Sequence, residues 1–323
     1  MNKKKYVNRN YLTTTRIIAL GFLITVIVGT ILLSLPIASA NGTWTDLLTA
    51  AFTSTTSVCV TGLVVVDTFS YWSLFGKGVI LILIQIGGLG IVSIITLFML
   101  LLRMKITLKS TMLLQDAFNL NSKQGLLKFT IKVIKGTFLI EGIGALIYSF
   151  YYCREYGFLK GIWFSVFHAV SAFCNAGIDI MGADSLISYH SNLLMMLNTS
   201  FLIIMGGIGF IVWWDTVEAF RRIRTKRCSI RSAWNGVHLQ TKIAIFMTLL
   251  LLIGGTIVIY FLERSNPDTL GNLSEKDRIL NAFFQSVTFR TAGFAAVSQV
   301  ALRPVTAFFG VLLMMIGGSP VGT

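Results

Sequence analysis

Long runs without charge recur along the chain and alternate with shorter semi-apolar segments. Ile17–Leu35 is 19 residues without a charge, Val79–Leu102 is 24, Leu193–Trp214 is 22 and Ile243–Leu262 is 20. Each is long enough to cross a hydrocarbon core of about 30 Å at about 1.5 Å per residue. Gly136–Tyr152, apolar except for Glu141, and the run after Arg303 predict two further spans. In lipid such segments are helices, because an open strand edge would leave backbone groups unpaired. The pattern therefore predicts an all-α membrane protein.

The stretches between spans carry a second pattern. Residues 36–78, 153–192 and 263–304 are each about 40 long, more than a turn between neighbouring helices needs. Each contains a helix-like piece too short to span: Thr45–Ser57, Gly161–Phe173 and Asp277–Phe289. Asp46 and Asp277 suit a first helical turn, where the dipole favours negative charge. Segments of this length fit re-entrant half-helices.

The unit of span, half-helix and span repeats in the same sense. After the half-helices come Val60-Thr61-Gly62-Leu63, Asn175-Ala176-Gly177-Ile178 and Thr291-Ala292-Gly293-Phe294. The three glycines are 115 and 116 residues apart, and Phe52, Phe167 and Phe283 each precede one by ten. A glycine pair follows at 25, 29 and 24 residues: Gly87-Gly88, Gly206-Gly207 and Gly317-Gly318. Paired glycines are common where membrane helices pack closely, but their joint recurrence with the loops marks a true repeat. The expected organisation is a basic terminus at 1–15, a first unit at 16–102 and a linker at 103–135. A second unit follows at 136–214, a basic linker at 215–242 and a third unit at 243–323, cut within its second span.

Composition supports a membrane class. Fully 54% of residues are apolar and 12% charged, with mean hydropathy +0.77, whereas soluble domains carry about 25% charge. The net charge of +14 is unevenly placed: residues 1–16, 103–135 and 221–242 hold 19 of the 27 basic residues. The positive-inside rule puts these regions, and the N-terminus, in the cytoplasm. A pI of 9.8 would also suit a nucleic-acid binder, but these charges flank spans, so no nucleic-acid partner is expected. Ala38-Ser39-Ala40 resembles a signal-peptidase site; the run before it is long for a signal core and is read as a retained first span.

A repeated half-helix and glycine loop suits one chemistry well. A cation entering a membrane must have its hydration shell replaced, and rings of backbone carbonyls do this in potassium filters. Glycine gives the backbone freedom and keeps side chains out of the pore. Half-helix C-termini could direct their negative ends at the ion.

These loops and this topology resemble the Ktr/Trk/HKT potassium-uptake superfamily, most closely the bacterial Ktr-type membrane subunit. The resemblance implies that backbone carbonyls of Val60, Thr61, Gly62, Asn175, Ala176, Gly177, Thr291, Ala292 and Gly293 bind K+. It implies transport of K+, with Na+ as a second candidate ion and no organic cofactor. It further implies a plasma-membrane homodimer in the lipid bilayer with one pore per subunit, a cytosolic nucleotide-binding ring as regulator, and a gate loop opening at Gly317, Gly318 and Ser319. Family members carry four units; this sequence holds about 2.8 of them, without the fourth loop. Two other readings stay open on the residues: a truncated, non-transporting remnant or assembly subunit, and a secondary transporter of another solute with glycine-broken helices.

Single residues add less. Cys59 and Cys174 precede equivalent glycines and are expected to pack behind the loops; without ligand spacing they form no metal site. His168, His190 and His238 are scattered and read as structural. Glu141, the acid inside a span, should face protein or water. Arg290, beside the third loop, is expected to brace it while pointing away from the pore axis. Trp213-Trp214-Asp215 reads as an interfacial anchor. No nucleotide fingerprint, zinc spacing or nucleophile elbow occurs, so the chain is not read as an enzyme.

Overall fold

The computed structural model describes residues 14–90, 93, 94, 96, 126–182, 185–226, 229–319 and 322. The basic segment at 1–13 and the stretch 97–125, which holds most of the first linker, lie outside the described residues. So do Arg227 and Cys228. The described residues are helical, and Ser39–Trp72 is an isolated bridge among them.

The first unit comprises α1 (Thr14–Ser34), the short helix α2 (Leu47–Val58), a single turn α3 (Thr68–Tyr71) and α4 (Leu74–Leu89). The second comprises α5 (Leu126–Tyr156), the short helix α6 (Phe158–Phe173) and α7 (Leu193–Gly207). After α8 (Phe210–Lys226) and α9 (Ile230–Asn235), the third comprises α10 (Leu239–Glu263), the short helix α11 (Glu275–Thr288) and α12 (Pro304–Ile316). Helices α1, α5 and α10 are long and apolar enough to span a membrane.

Helix starts follow capping chemistry. The Asp46 carboxylate accepts from Leu48 and Thr49 N–H at the start of α2, so it is the cap itself rather than a first-turn residue. Ser73, Asn192 and Ser274 cap α4, α7 and α11 in the same way. Ser274 also donates to Asp277 at 2.7 Å, a serine cap reinforced by an acid three residues on. Proline at the first position, whose missing N–H costs nothing there, starts α12.

Two predicted spans end early or break. Helix α4 stops at Leu89, where Gly90 takes φ +76°, so the expected helix to Leu102 is not continuous. Leu193–Trp214 is not one span either: α7 and α8 meet at 98° across Ile208 and Gly209. Gly209 has φ +97°, a conformation favourable only for glycine. The Trp213 indole fills this bend, donating to the Met205 carbonyl at 2.9 Å and packing on Phe173 and Phe210. Trp213 is 8% exposed, so it is a buried wedge and not an interfacial anchor. Asp215 accepts from His238 and Thr241 (2.8 and 2.6 Å), tying α8 to the start of α10.

Packing joins the units in series. Within each, the short helix lies against its long partner: α2 on α1, α6 on α5, α11 on α10. Between units, α4 packs on α6 and α7 packs on α11, so each second span supports the next short helix. Serines seat two short helices against glycines: Ser54 donates to the Val26 carbonyl beside Gly29, and Ser286 contacts the Leu251 and Leu252 carbonyls beside Gly255. Those glycines have no room for a methyl group.

The far end of α10 is locked by a buried carboxylate. Glu263 accepts from Thr269 (2.6 Å), Asn266 (2.7 Å), Arg303 N–H (3.0 Å) and Thr306 (2.5 Å). It thereby satisfies the first turn of α12 while holding that helix to α10. Replacing Glu263 with Leu strands these donors and is expected to cost about 3 kcal/mol. Thermal unfolding in detergent checks this; an unchanged midpoint would refute the lock.

Candidate functional site

The three loops that come after the short helices converge. A Cβ built on Gly62 would lie 2.8 Å from the Ala176 carbonyl oxygen. One on Gly177 would lie 2.6 Å from the Ala292 oxygen and from Gly293 Cα, and one on Gly293 would lie 3.0 Å from Gly177 Cα. The loops come from positions 115 and 116 residues apart, yet their backbones meet without space for one methyl group. The structure thus brings together the three glycines singled out by sequence.

Their backbones share an uncommon conformation. Gly62, Gly177 and Gly293 have φ +82°, +63° and +82°. Two residues earlier, Val60, Asn175 and Thr291 are also left-handed, at +53°, +56° and +73°, while the residue between is not. Regular strand backbone points successive carbonyls to opposite sides; alternating handedness turns them towards one side. A β-branched residue at positive φ is strained, by about 1–3 kcal/mol, and two of these three are β-branched.

Each loop is tied back to its helix by a hydroxyl. Thr56 Oγ1 accepts from Leu63 N–H at 3.1 Å, Ser171 Oγ donates to the Ile178 carbonyl at 2.5 Å and Thr288 Oγ1 donates to the Phe294 carbonyl at 2.7 Å. In every case the partner is the residue after the glycine. The first two hydroxyls precede their glycines by six residues and the third by five. Backbone pairing agrees: Thr61 and Ala176 N–H reach five residues back, Ala292 N–H only four. Counted from these ties, the helical counterpart of Phe167 is Phe284 and not Phe283, while α11 itself ends at Thr288, five residues before its glycine rather than four. Burial does not follow this register throughout: Phe167 and Phe284 are fully buried, but Phe52, at the same place on α2, is 38% exposed.

The loops separate two cavities. One of about 710 Å³ is lined by residues up to each glycine, including Cys59, Val60, Thr61, Asn175 and Thr291. The other, about 350 Å³, is lined by the glycines and the residues after them, including Val64, Asp67, Asp179 and Ala295. Chain order through each loop therefore matches position between the cavities. Asp67 and Asp179 face the smaller one. Burial works against ionisation of Asp67, but hydrogen bonds from the Ser70 hydroxyl and from Ser70 and Phe69 N–H outweigh it and hold the carboxyl below its usual range. Burial pushes the Asp179 carboxyl up, only partly offset by the Met181 N–H at 3.1 Å. These two acids were not singled out from sequence, although each lies within five residues of a loop glycine.

Other expected residues fall at the margins of the loops. Cys174 is buried against Gly88, but Cys59 is exposed to the larger cavity and does not pack behind the loop. His168 is buried between Tyr148 and Phe294. The Arg290 guanidinium donates from Nε and Nη2 to the Gly317 carbonyl (3.3 and 3.2 Å) and from Nη2 to Thr248 (3.4 Å). It lies among the lining residues of neither cavity. Gly317, the C-cap of α12, has φ +61°. Beyond it Ser319 N–H donates to the Gly207 carbonyl at 2.7 Å, with Gly318 against the same residue. The segment expected to open a gate loop therefore runs beside the α7–α8 break.

Known proteins resemble this chain in sequence and in fold. The family model for TrkH, described as a cation transport protein, matches residues 3–323. The potassium/sodium uptake protein NtpJ of Enterococcus hirae is 39% identical over 98% of this chain and 67% of its own length. The Ktr system potassium uptake protein B of Bacillus subtilis is 38% identical over 100% of this chain and 69% of its own. The crystal structure of the potassium transporter TrkH from Vibrio parahaemolyticus superposes with a TM-score of 0.67 at 16% identity, covering 99% of this chain and 60% of that one. The chain spans about two thirds of the length of the curated relatives it matches. With a matching family model along nearly its whole length, three glycine loops and the same helical fold, the chain belongs to the TrkH family of cation transport proteins.

Proposed function

We propose that this chain is the pore-forming part of a potassium uptake system, with K+ passing between the three loops. The observation that carries the proposal is the convergence of Gly62, Gly177 and Gly293 between two cavities. An ion crossing there meets backbone carbonyls of residues 60–62, 175–177 and 291–293 in place of water. The C-termini of α2, α6 and α11 lead into these loops, adding their negative dipole ends. Glycine is required because the neighbouring backbone occupies the space of a side chain.

The smaller cavity, with its ionised Asp67, suits the side from which the cation arrives, where a negative charge raises local cation concentration. Under the positive-inside rule this is the outer side, with the basic 221–242 segment and the N-terminus in the cytoplasm. On this reading the larger cavity opens inward and Gly317–Ser319 runs beneath it as the start of a gate. The relatives named as Ktr components and as potassium/sodium uptake proteins support K+ as cargo, Na+ as a second ion, and a multi-component system. We extend that to a plasma-membrane homodimer regulated by a cytosolic nucleotide-binding ring. The chain has no assigned enzymatic role or organic cofactor in this reading.

Growth of a potassium-uptake-deficient bacterium at low potassium tests the reading; normal membrane insertion without rescue would favour a non-transporting subunit. Gly177→Ala should reduce K+ uptake by at least about tenfold, because a methyl group 2.6 Å from the Ala292 oxygen displaces a loop already strained by about 1–3 kcal/mol. Arg290→Gln should lower uptake severalfold by releasing the Gly317 carbonyl. Wild-type flux and unchanged potassium-over-sodium preference in that variant would remove Arg290 from the mechanism.

A further inference from the structure

Behind the first two loops lies a polar pair, a buried Glu141 and a half-buried Gln85, that no step above uses. Glu141 is in the middle of α5 and 5% exposed. Its carboxylate accepts from the Gln85 amide of α4, at 3.1 Å to Oε1 and 3.3 Å to Oε2. An acid placed mid-span is costly and a poor choice for mere packing. The pair also joins helices with different duties: α4 packs on α2 and α6, and α5 packs on α6 and α7.

Gln85 lies just ahead of the glycine pair on α4. Gly87 presses on the Val58 carbonyl and Val60 side chain at the first loop, and Gly88 presses on Cys174 at the second. Neither has room for a Cβ. A small rotation of α4 therefore moves both loops at once. Gln85 and Gly88 are three residues apart and share a helix face, so the residue that presses on the second loop and the one anchored to α5 act on the same side.

We propose that Gln85 and Glu141 form a bracket that fixes the rotation of α4 and so positions the first two filter loops for ion discrimination. They are positioning residues: neither lines either cavity. The role rests on the hydrogen bond, not on a charge felt by the ion. The inference deepens the potassium reading of the loops, and one of its readouts is independent of transport.

That readout is Cys174, which is fully buried against Gly88. With Cys59, Cys153 and Cys228 replaced by serine, Cys174 should resist a membrane-permeant maleimide. Glu141→Leu and Gln85→Leu should each speed its labelling and lower the potassium-over-sodium uptake ratio by about tenfold, the factor equivalent to one lost buried hydrogen bond. The double variant should be no worse than the worse single one, since both remove the same contact. Glu141→Gln, which keeps an acceptor for the Gln85 amide, should restore both readouts. Unchanged labelling in the leucine variants, or additive losses in the double variant, would overturn the bracket. A glutamine variant as impaired as Glu141→Leu would assign the effect to charge and overturn it equally. If the parent protein moves no potassium while labelling still responds, the transport reading fails and the bracket stands.

Discussion

Three backbones meeting with no room for a side chain is the constraint on which the rest of this structure depends. A potassium ion cannot shed water in a membrane unless other oxygens replace it, since an isolated charge in low dielectric costs tens of kcal/mol. Carbonyl oxygens are suitable substitutes only if several backbones approach one axis. Gly62, Gly177 and Gly293 permit that approach, and each loop's first residue and its glycine are both left-handed. Neither feature is comfortable for an isolated segment. The remainder of the fold holds these loops in place.

That support is distributed over many weak contacts. A hydroxyl on each short helix holds the residue after each glycine, a hydrogen bond worth about 1 kcal/mol net. Serines seat α2 and α11 on glycines of α1 and α10, where the close approach gains dispersion that lipid cannot replace. Tyr148 of α5 pairs with Thr199 of α7 at 2.6 Å, and Asn198 of α7 donates to the Gly144 carbonyl of α5. Because interior packing is dense, a loop can shift only if several of these contacts shift with it.

Much of this was legible in the sequence because its signals are local or periodic. Uncharged runs gave the long helices α1 and α10, a run interrupted only by Glu141 gave the second half of α5, and the recurring glycines located the loops. The features that were not legible depend on contacts across the fold. The bend at Gly209 is hidden in an uninterrupted apolar run, since Leu193–Trp214 satisfies a hydropathy criterion as well as a straight span does. Trp213 then looked like a residue for the membrane interface, because nothing local reveals the bend it fills. Cys59 and Cys174 occupy similar places in sequence and both line the larger cavity, but Cys174 alone of the two is buried under a helix glycine. The one-residue shift from Phe283 to Phe284 escaped notice because register was counted from the glycine. The Thr56, Ser171 and Thr288 hydroxyls were the better ruler.

That shift has a physical consequence. The three loops are built alike but not identically: the third leaves its helix one residue sooner and carries Arg290 immediately before its left-handed Thr291. A guanidinium beside a cation path is unfavourable unless it is turned away and its donors are occupied. The Gly317 carbonyl and Thr248 hydroxyl supply those partners, and because α11 ends one residue earlier relative to its glycine, Arg290 comes directly after the C-cap Phe289. In the first two loops the corresponding positions are Cys59 and Cys174, small residues that cannot reach another helix end. The repeat therefore supplies near-symmetry where the three backbones meet. It gives way at the third loop, where one side chain connects that ring to the end of α12. A chain with tandem repeats can make such a departure at one site; a ring of identical subunits would have to repeat it at every one.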